Sequence, residues 1–477
     1  MNKTALVVFP FLVMLCACSL THPKDHLLQP GSFQPIVFKA PAPERIKLPN
    51  GMIVYLLEDH ELPLINVTAS IRTGSIHEPA ELAGLAALTG TAMRTGGTLH
   101  MTAEEVDRRL EAMSAQLGVG LGLEQGSASL SVLKDDFEKA FSVFSAVLMQ
   151  PVFEKERFEI ARATMCQGLR QLPDNPQNLA FREFKKLLYA GNPRGILPTI
   201  SSVERIKRAD LAGFHRKFFH PENIMLAISG DFSRDSMLAH IKKEFGSCPR
   251  SSDSVTVIPP PRPLAAMQLY HLQKQLSQST IVMGHFAPPK NHPDYFTFQV
   301  LDFIIGSGGF TSRLFSQVRT AQGLAYSVGS FYRGATDYGV FGAFCMTKAD
   351  STHRAASLIL HTLGTIKKGE LSEQELQWAK EAILNNFIFS FTSSAQITAQ
   401  QMQLEYDGLP PDFIRTAPDK IRAVTMKDLM RVADTWLNPD RILILVIGDA
   451  EHIDVKPEAW EWGSAATIQS DIIHEKQ

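Results

Sequence analysis

Cysteine is scarce in this sequence, with five residues in a chain of 477. A disulfide scaffold needs a much denser set of cysteines, so that class of protein is excluded. A charge surplus is also lacking, because 47 lysines and arginines nearly balance 49 aspartates and glutamates and leave a net charge of −2. The chain therefore has no basic surplus of the kind that nucleic-acid-binding and polybasic membrane-binding proteins use.

Long apolar runs are missing as well. After position 20, no uncharged apolar run reaches the roughly eighteen residues that a membrane-spanning helix needs. The composition is instead globular, with 44% hydrophobic and 20% charged residues, which excludes a mainly disordered protein. The length is sufficient for about two to four domains of ordinary size.

The first 17 residues are predicted to be a signal peptide, because one basic residue precedes an apolar run too short to remain as a permanent span. The run ends in Cys16-Ala17-Cys18, which resembles a bacterial lipobox, where a cysteine is lipidated and becomes the new N-terminus. Cys18 fits that role better than Cys16, which follows a bulky leucine. The alternative is an ordinary secretory signal. We expect a lipid-anchored protein on the periplasmic side of the cell envelope, and Ser19 favours the outer membrane.

Composition also divides the rest of the chain. The residues after the signal are rich in Pro, His, Gln and Ser and lack periodicity, which is typical of a tether. Four prolines within residues 259–263 cannot form helix and indicate a linker between domains. The predicted organisation is a signal peptide at 1–17, a tether at 18–42, an N-terminal half at 43–250, a linker at 251–264, a C-terminal half at 265–455 and a polar tail at 456–477.

Two stretches of the sequence, residues 203–231 and 421–449, match at a constant offset of 218 residues. The matching pairs are Asp210 and Asp428, Leu211 and Leu429, Pro221 and Pro439, Gly230 and Gly448, and Asp231 and Asp449. An offset held over 29 residues indicates a duplicated domain. A period of about 215 residues is too long for a solenoid array.

Each half mixes strand and helix signals. Strands are predicted on both sides of an Asn50-Gly51 type I′ hairpin turn, at 64–72, and as buried apolar runs at 224–229 and 442–447. Helices are predicted to start at capping boxes, Thr102 with Glu105 and Ser372 with Glu375. This interleaving predicts an α+β fold in which each half is a mixed sheet covered by helices.

Several stretches, taken in order, resemble the insulinase/pitrilysin family of zinc peptidases, the inverzincins. They are Leu-Pro-Asn-Gly at 48–51, Gly-Leu-Ala at 84–86, Asp-Asn-Pro at 174–176, Pro-Glu-Asn at 221–223 and Gly-Leu-Ala-Tyr-Ser at 323–327. The resemblance spans about residues 45–450. It implies the insulinase/mitochondrial-processing-peptidase-like fold of two similar α+β halves, which agrees with the duplication.

The resemblance has a gap where the family binds its metal. Family members carry His-x-x-Glu-His directly after Gly-Leu-Ala, with two histidines as zinc ligands, a glutamate as base, and a further glutamate ligand downstream. The ligand positions here are Ala87, Thr91 and Gln167, and the base position is Gly90. Alanine has no donor atom, glycine has no carboxylate, and threonine and glutamine are poor zinc ligands. We therefore expect no metal in this chain.

No other cluster in the sequence replaces this site. None of the fifteen histidines lies in a His-x-x-Glu-His or His-Glu-x-x-His pattern, and there is no Gly-x-Ser-x-Gly. Cys166 adjoins the lost ligand position, where a buried thiol is a better interpretation than a nucleophile.

The second half keeps the other part of the family's site. A helix is predicted to end near Arg319, Gly323 allows a turn, and a strand is predicted from Leu324, so Arg319 and Tyr326 can converge. In the family, an arginine and a tyrosine at this spacing reach the substrate carbonyl near the metal. Both are suitable donors to a developing oxyanion. The alternative is a surface ion-pair arginine and a tyrosine that caps a strand.

Three hypotheses follow, because the first half of the chain lacks the family's metal-site residues and the second half keeps its arginine and tyrosine. The first is the non-metal subunit of a heterodimeric peptidase, which supplies Arg319 and Tyr326 to a homologous zinc-bearing partner acting on peptides in the cell envelope. The second is an inactive pseudopeptidase that binds peptides or acts as a scaffold. The third is a free-standing hydrolase with an unusual site.

In addition, the Gly-rich residues 117–132 match the place where the family's edge strand pairs with a peptide.

Overall fold

The computed structural model describes residues 41–250 and 257–474, with the side chains of residues 388 and 390 left out. The predicted signal peptide, the lipidation site Cys18 and nearly all of the tether lie outside the described residues. Within the described ranges, no helix is long and apolar enough to cross a membrane.

Two six-stranded mixed sheets form the centre of the molecule. The first sheet has the order β1-β2-β6-β3-β5-β4, and its strands are β1 Glu44–Lys47, β2 Ile53–Glu58, β3 Leu64–Ile71, β4 Gln116–Leu121, β5 Gly126–Leu133 and β6 Ile224–Gly230. The second sheet has the order β12-β7-β11-β8-β10-β9, and its strands are β7 Gln268–Gln273, β8 Gln278–Ala287, β9 Ala325–Gly334, β10 Gly339–Lys348, β11 Leu443–Gly448 and β12 Ala466–Ile468. The α+β prediction is confirmed.

Helices cover both sheets. In the first half they are α1 Leu85–Thr95, α2 Ala103–Ala112, α3 Phe137–Met149, α4 Lys155–Gln171, α5 Pro176–Leu188, α6 Ile200–Arg205, α7 Arg208–Phe218 and α8 Arg234–Phe245. In the second they are α9 Tyr295–Asp302, α10 Thr352–Lys367, α11 Glu373–Phe387, α12 Ser394–Tyr406, α13 Phe413–Ala423, α14 Met426–Trp436 and α15 Asp471–His474. Two π-helical segments, Phe303–Ser307 and Phe315–Ala321, interrupt the regular helix in the second half.

The duplication inferred from the sequence is visible element by element. Five strands follow the same order in the two sheets, and the parallel pair of β2 with β6 in the first corresponds to that of β7 with β11 in the second. The outermost strands differ, because β1 pairs antiparallel with β2 whereas β12 pairs in parallel with β7. Helices α11, α12 and α14 each begin 218 residues after their counterparts α4, α5 and α7. The offset in the sequence therefore corresponds to equivalent elements of the two halves.

Each half contributes one helix to the sheet of the other. Helix α5 packs on β8 and β11 of the second sheet, where Leu179 and Phe184 are buried against Val282 and Leu445. Helix α12 packs on β2, β3 and β6 of the first sheet through the fully buried Met402. Burying one such side chain contributes about 1.5–3 kcal/mol. The two halves thus share their cores.

Local signals in the sequence mostly give the right elements. Ser372 and Glu375 form the predicted reciprocal caps, and Thr102 accepts from the backbone N–H of Glu105. The turn between β1 and β2 is not type I′, because Asn50 does not have a positive φ and the glycine alone does, at +95°. The Gly51 N–H donates to the Leu48 carbonyl, so Pro49 and Asn50 are the central residues of the turn.

The C-terminal residues carry structure that the sequence did not indicate. Strand β12 pairs in parallel with β7, and Ile472 of α15 is fully buried. Ser470 donates to the buried Glu183 of α5 at 2.7 Å, and Lys186 forms an ion pair with Asp471. This segment therefore holds α5 against the second sheet. Residues 257–266, by contrast, contain no helix or strand.

Candidate functional site

Helix α1 is the element on which the family resemblance predicts the metal site. It begins after Gly84, whose φ of +104° turns the chain into the helix. The buried Glu78 carboxylate accepts from the N–H groups of Gly84 and Ala86, at 2.9 and 2.8 Å, and so caps the helix from a distance. Burial raises the pKa of Glu78, and the two backbone donors act against that rise.

The structure places three of the four degenerate metal-site positions at the surface. Ala87 and Thr91 are exposed on neighbouring turns of α1, Gln167 is exposed on α4, and Gly90 is buried. The Thr91 hydroxyl is already bonded to the carbonyl of Ala87 at 3.2 Å. One hydroxyl and one amide are not a zinc donor set, and the described residues contain no cluster of three His, Cys, Asp or Glu that could hold a metal. The residues present do not fit zinc.

Gly90 lies against the backbone of strand β4. A Cβ atom at this position would come within 3.0 Å of the Leu121 nitrogen and 3.3 Å of Gly120. Gly306 makes the equivalent contact in the second half, where a Cβ would come within 2.4 Å of the Ser330 nitrogen on β9. Both halves therefore pack a helix onto an edge strand through a glycine, and any side chain at position 90 would require β4 to shift by a few tenths of an ångström.

Near Gly306, the second half buries a carboxyl group. Asp302 is 5% exposed and accepts from the Ser330 hydroxyl at 2.5 Å. Burial raises the pKa of Asp302 to about 6, against the opposing effect of its serine partners. This carboxyl fastens α9 to the edge strand β9.

Within residues 117–132, strand β4 is the edge of the first sheet, whereas β5 lies between β4 and β3. An open cleft of about 540 Å³ lies beside it, lined by residues of β3, β4 and β5 together with Arg94 of α1 and Ala395 of α12. Arg94 donates to the Leu117 carbonyl at 3.0 Å and pairs with Asp107 at 2.7 Å. Polar and apolar side chains line the cleft in about equal measure.

Arg319 and Tyr326 come together, as their spacing predicted. The Arg319 guanidinium carbon lies 5.4 Å from the centre of the Tyr326 ring and 4.8 Å from that of Phe315. Tyr326 is 80% exposed at the start of β9, the edge strand of the second sheet. Within the described part of the chain, neither Arg319 nor Tyr326 makes a side-chain hydrogen bond or an ion pair. Both polar groups are therefore available to a ligand.

The turn between these two residues follows from one glycine. Gly323 has a φ of +64°, and its N–H donates to the Arg319 carbonyl at 3.0 Å. The Leu324 N–H then bonds to the Val318 carbonyl at 3.0 Å, and β9 begins at Ala325. The helix end and the strand start are thereby fixed side by side.

Sequence reasoning missed a buried ionic joint between the halves. Arg194 is 3% exposed and donates to Glu124 at 2.5 Å, while its guanidinium carbon lies 4.7 Å from the centre of the Tyr338 ring. The Tyr338 hydroxyl donates to the same Glu124 oxygen at 2.9 Å, and burial raises the pKa of Tyr338 above its usual range. These residues are far apart in the chain, so no local pattern could have identified them. The capping role of Glu78 could have been suspected from the sequence, because an acidic residue shortly before Gly-Leu-Ala can accept from the first N–H groups of the helix.

Comparison with family models settles the relationship. The model for "Insulinase (Peptidase family M16)" matches residues 54–197, and the model for "Peptidase M16 inactive domain" matches residues 205–383. The chain belongs to the insulinase family. An uncharacterized zinc protease of Rickettsia felis is 24% identical to this insulinase-family chain over 350 residues, 72% of this chain and 82% of that protein. One from Bacillus subtilis is 22% identical over 353 residues, 74% and 85% of the two chains.

Solved structures show the same fold for this insulinase-family chain. A crystal structure from Pseudomonas fluorescens, described as a peptidase M16 inactive domain, is 25% identical, with a TM-score of 0.79 over 86% of this chain and 98% of that one. A protease from Helicobacter pylori is 18% identical, with a TM-score of 0.77 over 85% and 99% of the two chains.

Proposed function

We propose that this chain is the non-metal subunit of a two-chain insulinase-family peptidase and supplies Arg319 and Tyr326 to a zinc-bearing homologue that cleaves peptides in the cell envelope. The observation that carries the proposal is the contrast within one chain. Helix α1 has no donor set for zinc, whereas Arg319 and Tyr326 touch each other and have unused donors. The description of the Pseudomonas fluorescens relative as an inactive domain agrees with the missing zinc donor set.

The two donors act where charge develops. A guanidinium and a phenol aimed at a peptide carbonyl stabilise the oxyanion that forms when water attacks. In this chain, contact with the Phe315 and Tyr326 rings limits the rotamers of Arg319, so less entropy is lost when it binds the carbonyl. The hydrolytic water and its metal belong to the partner in this proposal. Localisation follows the Cys18 lipid, which would place the complex on the periplasmic side.

The test is turnover of a quenched peptide by this chain reconstituted with a homologue that carries an intact His-x-x-Glu-His. Arg319→Ala and Tyr326→Phe should each lower turnover about 100- to 1000-fold, the usual cost of losing one oxyanion donor. The complex should still assemble, because both side chains lie at the surface or near it. Arg333→Ala is the matched control, since Arg333 is an exposed arginine on the same strand β9.

A binding or scaffolding role is the second candidate, and the poor fit of α1 for zinc supports it equally. The peptide-turnover assay also distinguishes this role from that of a catalytic subunit. Parental turnover in both the Arg319 and Tyr326 variants would contradict the shared site and favour a scaffold. Loss of turnover in the Arg333 variant as well would point to a general effect on assembly.

A further inference from the structure

The segment around Arg319 contains two arginines in opposite situations. Arg313 donates twice to the Glu375 carboxylate, at 2.5 and 2.8 Å, so its charge is matched within the chain. Arg319 lies on the following π-helical turn, and no carboxylate among the described residues pairs with it. It lies over the rings of Phe315 and Tyr326 and donates no hydrogen bond to the Tyr326 hydroxyl.

Exposed aromatic surface surrounds this unmatched charge. Phe310 is 77% exposed and stands edge-on to Phe315, with ring centres 4.8 Å apart at 86°. Tyr326 on the other element is 80% exposed. We call Phe310, Phe315, Arg319 and Tyr326 the aromatic arginine site. It combines a planar donor fork with the exposed rings of Phe310 and Tyr326 and the half-buried ring of Phe315.

We propose that the aromatic arginine site binds the carboxylate of a peptide whose neighbouring side chain is apolar. A guanidinium matches a carboxylate through two parallel hydrogen bonds, and this is the charge that the site lacks. The Phe310 and Tyr326 rings would cover the apolar side chain. The inference rests on the proposed function for the kind of ligand, a peptide, but it needs neither the partner chain nor catalysis.

The geometry also argues against a polyanion. Recognition of a nucleic acid or a phosphate cluster uses several converging cations, and the whole chain has a net charge of −2. The second arginine of this segment is already neutralised by Glu375. A single fork with aromatic neighbours suits one carboxylate.

The test measures binding to the mature chain alone, in detergent, by fluorescence anisotropy. The probes are three labelled hexapeptides: one ending in phenylalanine with a free carboxylate, its C-terminal amide, and an amide with glutamate before the phenylalanine. The free acid should bind about five- to tenfold more tightly than the amide, a difference that falls as salt rises. Tight binding of the glutamate peptide would assign the site to acidic side chains, and weak binding would assign it to peptide C-termini. Both results support a carboxylate site.

Variants separate the charge from the apolar contact. Arg319→Gln should abolish the preference for acid over amide, and Arg319→Lys should restore part of it. Phe310→Ala should weaken acid and amide alike, and Arg333→Gln should change neither. Equal affinity of acid and amide for the parental chain would overturn the inference, as would an unchanged preference in Arg319→Gln. If that happened while Arg319→Ala still stopped turnover of the reconstituted pair, the proposed function would stand without it.

Discussion

Replacing Gly90 by alanine tests the close contact between helix α1 and strand β4. Gly90 lies inside α1, where alanine is favoured over glycine by about 1 kcal/mol. The added Cβ would meet backbone atoms of β4 at 3.0 and 3.3 Å, and backbone in a sheet cannot move aside as a flexible side chain can. Overpacking of this kind costs about 1–3 kcal/mol. We therefore expect Gly90→Ala to lower the free energy of unfolding by up to about 2 kcal/mol.

Gly168 gives a matched control. It lies inside α4, where a Cβ would have nothing within 4 Å, so Gly168→Ala should gain the helix preference of ~1 kcal/mol without a clash. The two variants should thus differ by about 1–3 kcal/mol in opposite directions. Gly90→Glu, which restores the family's base position, should be worse than Gly90→Ala because its whole side chain must be accommodated.

The measurement is thermal unfolding followed by circular dichroism, with all variants at one protein concentration. A difference of 1 kcal/mol shifts the melting temperature by about 2–4 °C if a half of the molecule unfolds as a unit. Gly90→Ala should melt below the parent and Gly168→Ala above it. If Gly90→Ala were stabilised as much as Gly168→Ala, α1 would not be packed tightly on β4, and the steric argument against a base at position 90 would fail.

Three further predictions concern metal, anchoring and pH. The purified chain should bind no stoichiometric zinc, because Ala87, Thr91 and Gln167 are no ligand set; one zinc per chain by elemental analysis after dialysis would revive a free-standing hydrolase. Cys18→Ser should release the protein from the membrane or leave it unprocessed, because the acyl chains on Cys18 would contribute ~0.8 kcal/mol of membrane binding per buried methylene. Cys16→Ser should leave the protein membrane-bound. Membrane fractionation of the two variants tests which cysteine carries the lipid. The raised pKa of Asp302, about 6 against an ordinary value of 3.8, means that the native state keeps a proton there after the unfolded chain has lost it. This group should therefore lower the free energy of unfolding by ~3 kcal/mol as the pH rises from about 4 to 6. The Asp302→Asn variant should lack this contribution to the pH dependence. Denaturant titrations of the variant and the parent across that pH range measure the difference.

The candidate site was predictable to different extents in its two parts. The loss of the ligands at Ala87, Thr91 and Gln167 and of the base at Gly90 follows from residue chemistry alone once the motif is located. The meeting of Arg319 and Tyr326 followed from local geometry, because Gly323 joins a helix end to a strand start within a few residues. What local patterns could not give was the close contact of Gly90 with β4 or the Phe315 ring beside Arg319, since both depend on how packed elements approach each other.

The turn between β1 and β2 shows where a local signal misleads. Asn50-Gly51 predicts a type I′ turn when it is considered as a pair, yet Pro49 sets a negative φ one residue earlier and moves the centre of the turn back by one position. The hairpin itself formed as predicted, with Lys47 opposite Ile53. The strands on either side determined the pairing, and the proline determined the turn.

The sequence by itself determined the duplication, the α+β class, most element types and the chemistry missing from α1. The 218-residue offset reports which elements correspond, because equivalent elements keep similar apolar spacing, caps and turn residues. Only the tertiary structure decided that α5 covers the second sheet and α12 the first, and that Arg194, Glu124 and Tyr338 join the halves. The physical reason is that apolar periodicity specifies which face of a helix is buried, whereas the choice of the surface that buries it depends on the packing of the whole chain.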